Sequence, residues 1–361
     1  MSNARELAQI PSTPSGRRNL LVNGAMQVKQ YGSPHTVANA NRAFAADRFQ
    51  FVNVTGSNQT VTNSTTSPSG FSNSLKIDVD TAVSGGSSGA YAYLGQKIEA
   101  QNLQHLDYGA SGAKTITLSF YVRSPKTGIH VVELNAPDGS RHISGTYTVA
   151  SANTWEEHSI TFAGDASGTI NNDTGIGLEI FFWLVAGSDL SGGGSLNTSW
   201  TTNPTANTRA VGQVNVFDNT SNVFYLTGVQ LEVGSVATEF EHRSFAEELD
   251  LCMRYYQRVT RNNNDNVYIG LAQAGGTTVG YVLKDWEKQL RANPTFGVSG
   301  ATDAELFGSM GARQSTAVSM LVDGTQNGLI QINVSGGLTA DNANRAYLRS
   351  HAAFYELDAE L

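Results

Sequence analysis

The chain has 361 residues, of which 37 are glycine, 8 are proline and 15% are charged, and its formal net charge is −8. Nothing basic exceeds Arg17-Arg18, so a phosphate-tracking nucleic-acid binder is excluded, and the single cysteine, Cys252, excludes an internal disulfide framework. High glycine with little proline and few charges suits short strands joined by tight turns better than a helical bundle.

Residues 1–18 are polar. Ala4, Leu7 and Ala8 hint at a helical turn that Pro11 and Pro14 stop. The segment lacks the apolar core of a secretory signal, and no window of the chain is long and apolar enough for a membrane span. It reads either as a tail or as a docking peptide that orders on a larger assembly.

From Asn19 the pattern is one of strands. The candidates are 20–28, 48–54, 74–80, 91–98, 114–124, 129–135, 143–149, 156–164, 176–187, 213–217 and 223–234, separated by Gly, Ser, Asn and Asp turns. The run 178–187 is the most apolar stretch of the chain and reads as one buried strand. About ten short strands over some 220 residues with no helix between them predict an antiparallel two-sheet sandwich.

A strand ending near Gly234 is followed by a helix. Ser244 with Glu247 forms a capping box, and Phe245, Leu249, Cys252 and Tyr256 then share a stripe. The spacing predicts a helix of about fifteen residues through Val259, roughly 22 Å long. Its stripe either packs on the chain's own sandwich or is shared by three copies around a common axis. Beyond it, 266–274, 277–287, 294–300, 315–324, 328–336 and 346–361 read as strands of a second, smaller β domain. The expected organisation is a docking segment over 1–18, a sandwich over 19–243, a linking helix over 244–259 and a C-terminal β domain over 260–361.

The segment FYLTGVQLEVGSVATEFEHRSFAEELDLCMRYYQR (224–258) resembles phage tail-fibre and related virion proteins, in which a GVQLE strand runs into an ATxFExRS turn and an RYY helix. LRANPTF (290–296) and the terminal AFYELDAEL resemble the same family, which touches both halves of the chain. NLLVNGAMQV (19–28) and FYLTGVQLEVG (224–234) resemble the first and last strands of jelly-roll carbohydrate-binding modules. That resemblance implies an all-β jelly roll. Those modules commonly hold a calcium by an acidic residue ending the first strand and an aspartate in the last. Gln27 and Thr227 stand in those places here, so no metal and no cofactor is expected.

Catalytic constellations are weak. Gly85-Gly86-Ser87-Ser88-Gly89 matches G-x-S-x-G, and Ser111–Lys114 matches S-x-x-K. Both lead into strands where a nucleophile needs a helix. The seven histidines show no paired ligand spacing, and the NNNDN run (262–266) reads as a turn. Acidic residues such as Asp78, Asp80, Glu179, Asp285 and Glu287 cannot be paired across a glycosidic bond by sequence. Aromatic residues are the better lead, because sugar rings stack on exposed aromatic faces. Trp200 in a polar loop is the first candidate, with Tyr91 and Tyr93 on one strand face behind it. Trp155 and Trp183 read as packed.

The resemblances together imply a virion component made in a host cytoplasm. It would be a homotrimeric tail fibre or receptor-binding protein that attaches to host surface polysaccharide. It would bind other virion proteins through its N-terminal segment and would have no enzymatic activity. A structural head or baseplate decoration and a polysaccharide depolymerase are the alternatives.

Overall fold

The computed structural model describes residues 17–83, 87–202, 206–261, 267–309, 311–350 and 352–361. The expected role of residues 1–18 and the NNNDN run therefore fall almost wholly outside the described residues. The chain divides into two compact units. One comprises residues up to Glu248 together with Leu361, and the other is Leu249–Glu360.

The first unit is a jelly-roll sandwich. Its strands are β1 (His35–Val37), β2 (Asn41–Ala46), β3 (Phe49–Val54), β4 (Gln59–Ser64), β5 (Ser74–Asp78), β6 (Tyr91–Glu99), β7 (Ile116–Arg123), β8 (Gly128–Ala136), β9 (Arg141–Val149), β10 (Trp155–Phe162), β11 (Ile176–Ala186), β12 (Thr201–Thr202) and β13 (Val223–Val233). One sheet runs β1-β4-β5-β13-β7-β10 and the other β12-β9-β8-β11-β6-β3-β2, with antiparallel pairing throughout. The side-chain period of two sends Leu94, Leu118, Phe120, Val132, Leu134, Ile180, Phe182 and Leu226 into one core between the sheets. In β13 the register shifts between Thr227 and Gln230, where Gly228 adopts φ +61°. The bulge lets both Leu226 and Val229 face the core. A Cβ on Gly228 would lie 2.7 Å from the Phe71 ring.

Two predicted strands are absent. Residues 20–28 and 213–217 have core-facing side chains but no ladder. Over 19–28 the reason is visible: the asparagines replace a ladder. Asn19 Oδ1 accepts from Leu21 N and Leu231 N (3.0 Å each), and its Nδ2 donates to Val229 O (3.1 Å). Asn23 Nδ2 donates to Val28 O and Asp47 O, and its Oδ1 accepts from Val28 N. A Cβ at Gly24 would sit 2.1 Å from Val229 O, so only glycine fits this close approach. In Thr227 the hydroxyl donates to Asn73 O at 2.7 Å. Strands β1, β2, β4 and β12 lacked an apolar alternation strong enough to be read from sequence.

The capping box forms: Ser244 N and Oγ donate to Glu247 Oε2, and Glu247 N donates to Ser244 Oγ. The helix, however, covers only Phe245–Cys252. Tyr256–Thr260 is instead a strand, β14, paired with β22 (Phe354–Asp358). Aromatic and β-branched residues at 255–260 fit a ladder better than a helix, and the ladder prevails. The expected stripe is therefore broken. Cys252 and Tyr256 are buried, Tyr256 with its hydroxyl on Glu356 Oε2 (2.5 Å), while Phe245 stands 55% exposed.

The second unit contains a closed barrel, β15 (Val267–Ala274), β16 (Val279–Asp285), β20 (Asn327–Val334), β19 (Gly311–Asp323), β18 (Ala304–Gly308) and β21 (Ala343–Leu348), in that order. A three-stranded sheet, β14-β22-β17, adds β17 (Thr295–Val298). The single run expected over 346–361 is thus two strands in two sheets. The barrel core contains Ile269, Val282, Leu306, Ile330, Ile332 and Leu348.

Candidate functional site

The segment from Gln230 to Glu248 is a staple. Arg243 donates to Asn19 O (2.7 Å), Leu21 O (3.1 Å), Glu241 Oε2 (2.7 Å) and Glu248 Oε1 (3.3 Å). Glu241 also accepts from Arg18 N and Asn19 N, which holds its carboxyl below the usual range despite partial burial, and Glu248 accepts from Asn23 N. Gln230 and Glu232 of β13 are buried and bonded to each other and to the 238–241 turn. In the second unit Arg291 does similar work, with its N on Arg254 O and its Nε on Ala359 O. These contacts fasten the 18–23 segment to the 230–248 segment, and in the second unit residue 291 to residues 254 and 359.

The outer face of the seven-stranded sheet is different. Along β6, Ala92, Leu94 and Ile98 enter the core, so Tyr91, Tyr93, Gly95 and Lys97 point outward. Register sets cross-sheet rows on this face. One runs Arg42–Val52–Tyr93–Trp183, the next Phe44–Gln50–Gly95–Phe181–Glu133, and the third Lys97–Glu179–Asn135–His142.

Tyr91 and Tyr93 lie nearly parallel, with centroids 6.2 Å apart and ring planes 9° from each other. Beside them on the same face, Trp183 meets both rings edge-on at 6.1 and 5.6 Å, and Phe181 lies 4.5 Å from Tyr93. Phe181 and Trp183 are buried although they face away from the main core. The excursion between β11 and β13 covers them with Leu190 and Ala210, leaving Tyr91 and Tyr93 half-buried beside it. Trp183, read as core, is thus core of a satellite cluster that flanks the tyrosines.

The cluster is keyed by a buried ion pair. Arg209 Nε donates to Glu133 Oε1 (2.8 Å), Arg209 Nη2 lies 2.7 Å from the same oxygen, and Trp183 Nε1 donates to Glu133 Oε2 (3.1 Å). The guanidinium sits 5.6 Å from the Trp183 ring centroid. Burial pushes the Glu133 carboxyl up to about 7, against the pull of Arg209. In the polar row, Asn135 Nδ2 donates to Glu179 Oε2 (2.7 Å) and Lys97 Nζ lies 3.9 Å from Glu179 Oε1. Burial, and then the Glu179 charge, raise Tyr93 well above the usual phenol range, so its hydroxyl stays a neutral donor. Gln50 is buried beside Gly95, and its Nε2 has no hydrogen-bond partner among the described residues. A Cβ on Gly95 would lie 2.2 Å from Ile180 O.

Tyr91 and Tyr93, predicted together, are brought together. Trp200 stands apart from them: its Nε1 donates to Ala163 O (2.7 Å), its ring meets Tyr108 edge-on at 5.6 Å, and it packs on the main core. It anchors its loop. Residues that sequence reasoning missed are Phe181, Glu133, Arg209 and Gln50. The apolar run 180–186 was the available signal, because a strand without alternation is covered on both faces. Among the described residues no cluster of three His, Cys, Asp or Glu side chains could hold a metal ion.

No family model matches the chain, and no curated protein matches it. Solved structures that match include the enzymatically active domain of tailspike protein 4 from bacteriophage CBA120, at 12% identity and a TM-score of 0.31 over 60% of this chain. TmCBM61 in complex with β-1,4-galactotriose matches at 10% identity and 0.28, over 60% of this chain and all of that one. The C-terminal family 22 carbohydrate-binding module of Clostridium thermocellum Xyn10B matches at 12% and 0.29, over 53% of this chain and 89% of that one. The matched region spans 21% of the tailspike's length.

Proposed function

We propose that this chain is a phage virion protein that attaches to host surface polysaccharide through the outer face of its seven-stranded sheet. The observation that carries the reading is the parallel, half-buried Tyr91–Tyr93 pair, braced at its side by Trp183 and Phe181. The apolar face of a pyranose stacks on such rings, while hydroxyls bond to the neutral Tyr93 phenol and to the Lys97–Glu179–Asn135 row. The virion assignment is supported by the resemblance at 224–258 and 290–296, with residues 1–18 as the attachment to other virion proteins. A decoration protein without glycan binding is the competing structural role.

One observation favours a depolymerase as second reading. Glu133 and Glu179 are diagonal neighbours on one face, and diagonal positions on paired strands lie roughly 7–8 Å apart. Both oxygens of Glu133 are, however, engaged by Arg209 and Trp183.

The test is binding of purified protein to host polysaccharide, with Tyr91→Ala and Tyr93→Ala beside the parent. Each loss of a stacking ring should weaken binding roughly tenfold, measured well below each variant's own melting transition because both rings also pack on the Phe181–Trp183 cluster. Unaltered binding in both variants refutes this face as the receptor site. Release of reducing ends by the parent, abolished in Glu179→Gln, would replace attachment by hydrolysis.

A further inference from the structure

The barrel of the second unit carries an outward apolar row that its own fold leaves uncovered. Leu271 and Leu283 flank the Ala272–Val282 pair of β15 and β16, Leu283 pairs with Leu329 of β20, and Leu329 pairs with Val322 of β19. Between them Ala272, Val282 and Ile330 turn into the barrel core, so the leucines face out. Leu271 is 64% exposed, Leu283 70% and Val322 55%. A register shift between Met320 and Val322 adds Leu321 to the exposed set, and Tyr268 extends it along β15. Leu271, Tyr281, Leu283 and Leu329 line a shallow depression here.

Four neighbouring strands thus present one apolar band. The exposed parts of Tyr268, Leu271, Leu283, Leu321 and Val322 amount to roughly 500 Å², at the upper end of what monomeric proteins show. With its polar border the band approaches the ~800 Å² per partner that a stable protein interface buries.

We propose that the band is the contact between copies of this chain. Its border carries both signs of charge. Exposed Arg345 pairs in register with Leu271, Asp285 stands two residues beyond Leu283 on the same face, and Asp341 edges the depression. A second copy turned about a two-fold axis sets leucine against leucine and an arginine against an aspartate, as a self-complementary patch requires. A lipid surface would call for a uniformly basic border. The helix stripe cannot serve instead, because Cys252 and Tyr256 are already buried in their own chain.

Sedimentation equilibrium of the full chain tests this, with Leu283→Lys, Leu271→Lys and Phe245→Ser beside the parent. The parent should self-associate at micromolar concentration. Each leucine variant should weaken association about tenfold or more with unchanged circular dichroism and melting, since the replaced side chains are exposed. Phe245→Ser should associate like the parent. A monomeric parent, or leucine variants as tightly associated as the parent, overturns the proposal. Binding of the parent to phospholipid vesicles, lost in Leu283→Lys, would overturn it in favour of a lipid surface.

Discussion

Trp200→Ala separates a loop anchor from a ligand platform. The substitution removes the hydrogen bond to Ala163 O, worth about 1 kcal/mol net, and the edge contact with Tyr108, worth about 0.5–1.5 kcal/mol. It also removes apolar contacts with the main core. Trp200 is only partly buried, so the total should fall below the roughly 3–5 kcal/mol of a fully buried tryptophan, at about 2–3 kcal/mol. In a unit of this size that lowers the melting midpoint by roughly 5–10 °C. Urea unfolding followed by circular dichroism measures the loss, and polysaccharide binding well below the transition should match the parent. A change under about 0.5 kcal/mol together with lost binding would refute the reasoning and restore Trp200 as a receptor residue.

Arg243→Ala should cost about 3 kcal/mol in urea unfolding, because Glu241, Glu248 and two backbone carbonyls lose one buried partner together; a cost below about 1 kcal/mol would mean the staple is dispensable. Gly228→Ala should cost about 2 kcal/mol or more by the same measurement, since its φ is +61° and the new Cβ meets Phe71, and an unchanged midpoint would show that the bulge tolerates a side chain. His142 is buried, and burial followed by the Arg209 charge pushes its pKa down to about 4 from 6.5. The unfolded chain therefore binds more protons between those values, and this residue's cost to the native state grows as pH falls below 6.5. Relative to His142→Gln, the parent should lose about 2 kcal/mol between pH 7 and pH 5, and parallel stability profiles would refute the assignment. Glu133 and Asp47 carry raised pKa values and act in the opposite sense, so the comparison between variants is the informative one.

The all-β class, the two-unit order and most strands were legible from sequence because their information is local. Alternation along 91–98 or 129–135 fixes which side chains share a face, and glycine-rich turns fix where strands end. The capping box at Ser244 was legible for the same reason. Tyr91 and Tyr93 could be placed on one face by counting.

What covers that face is not a local property. Nothing in residues 187–202 and 207–222 announces that they fold over β8 and β11, bury Trp183 outside the main core and bring Arg209 onto Glu133. Nor does any short window show that 19–28 is held by asparagine side chains in place of a ladder, or that Tyr256 leaves its helix for β22. A stripe read at helical spacing fails once a ladder with a strand a hundred positions away offers more hydrogen bonds. The sequence alone determined which side chains alternate and where turns begin. The tertiary structure decided which faces stay open to solvent, because that depends on segments far apart in the chain meeting in space.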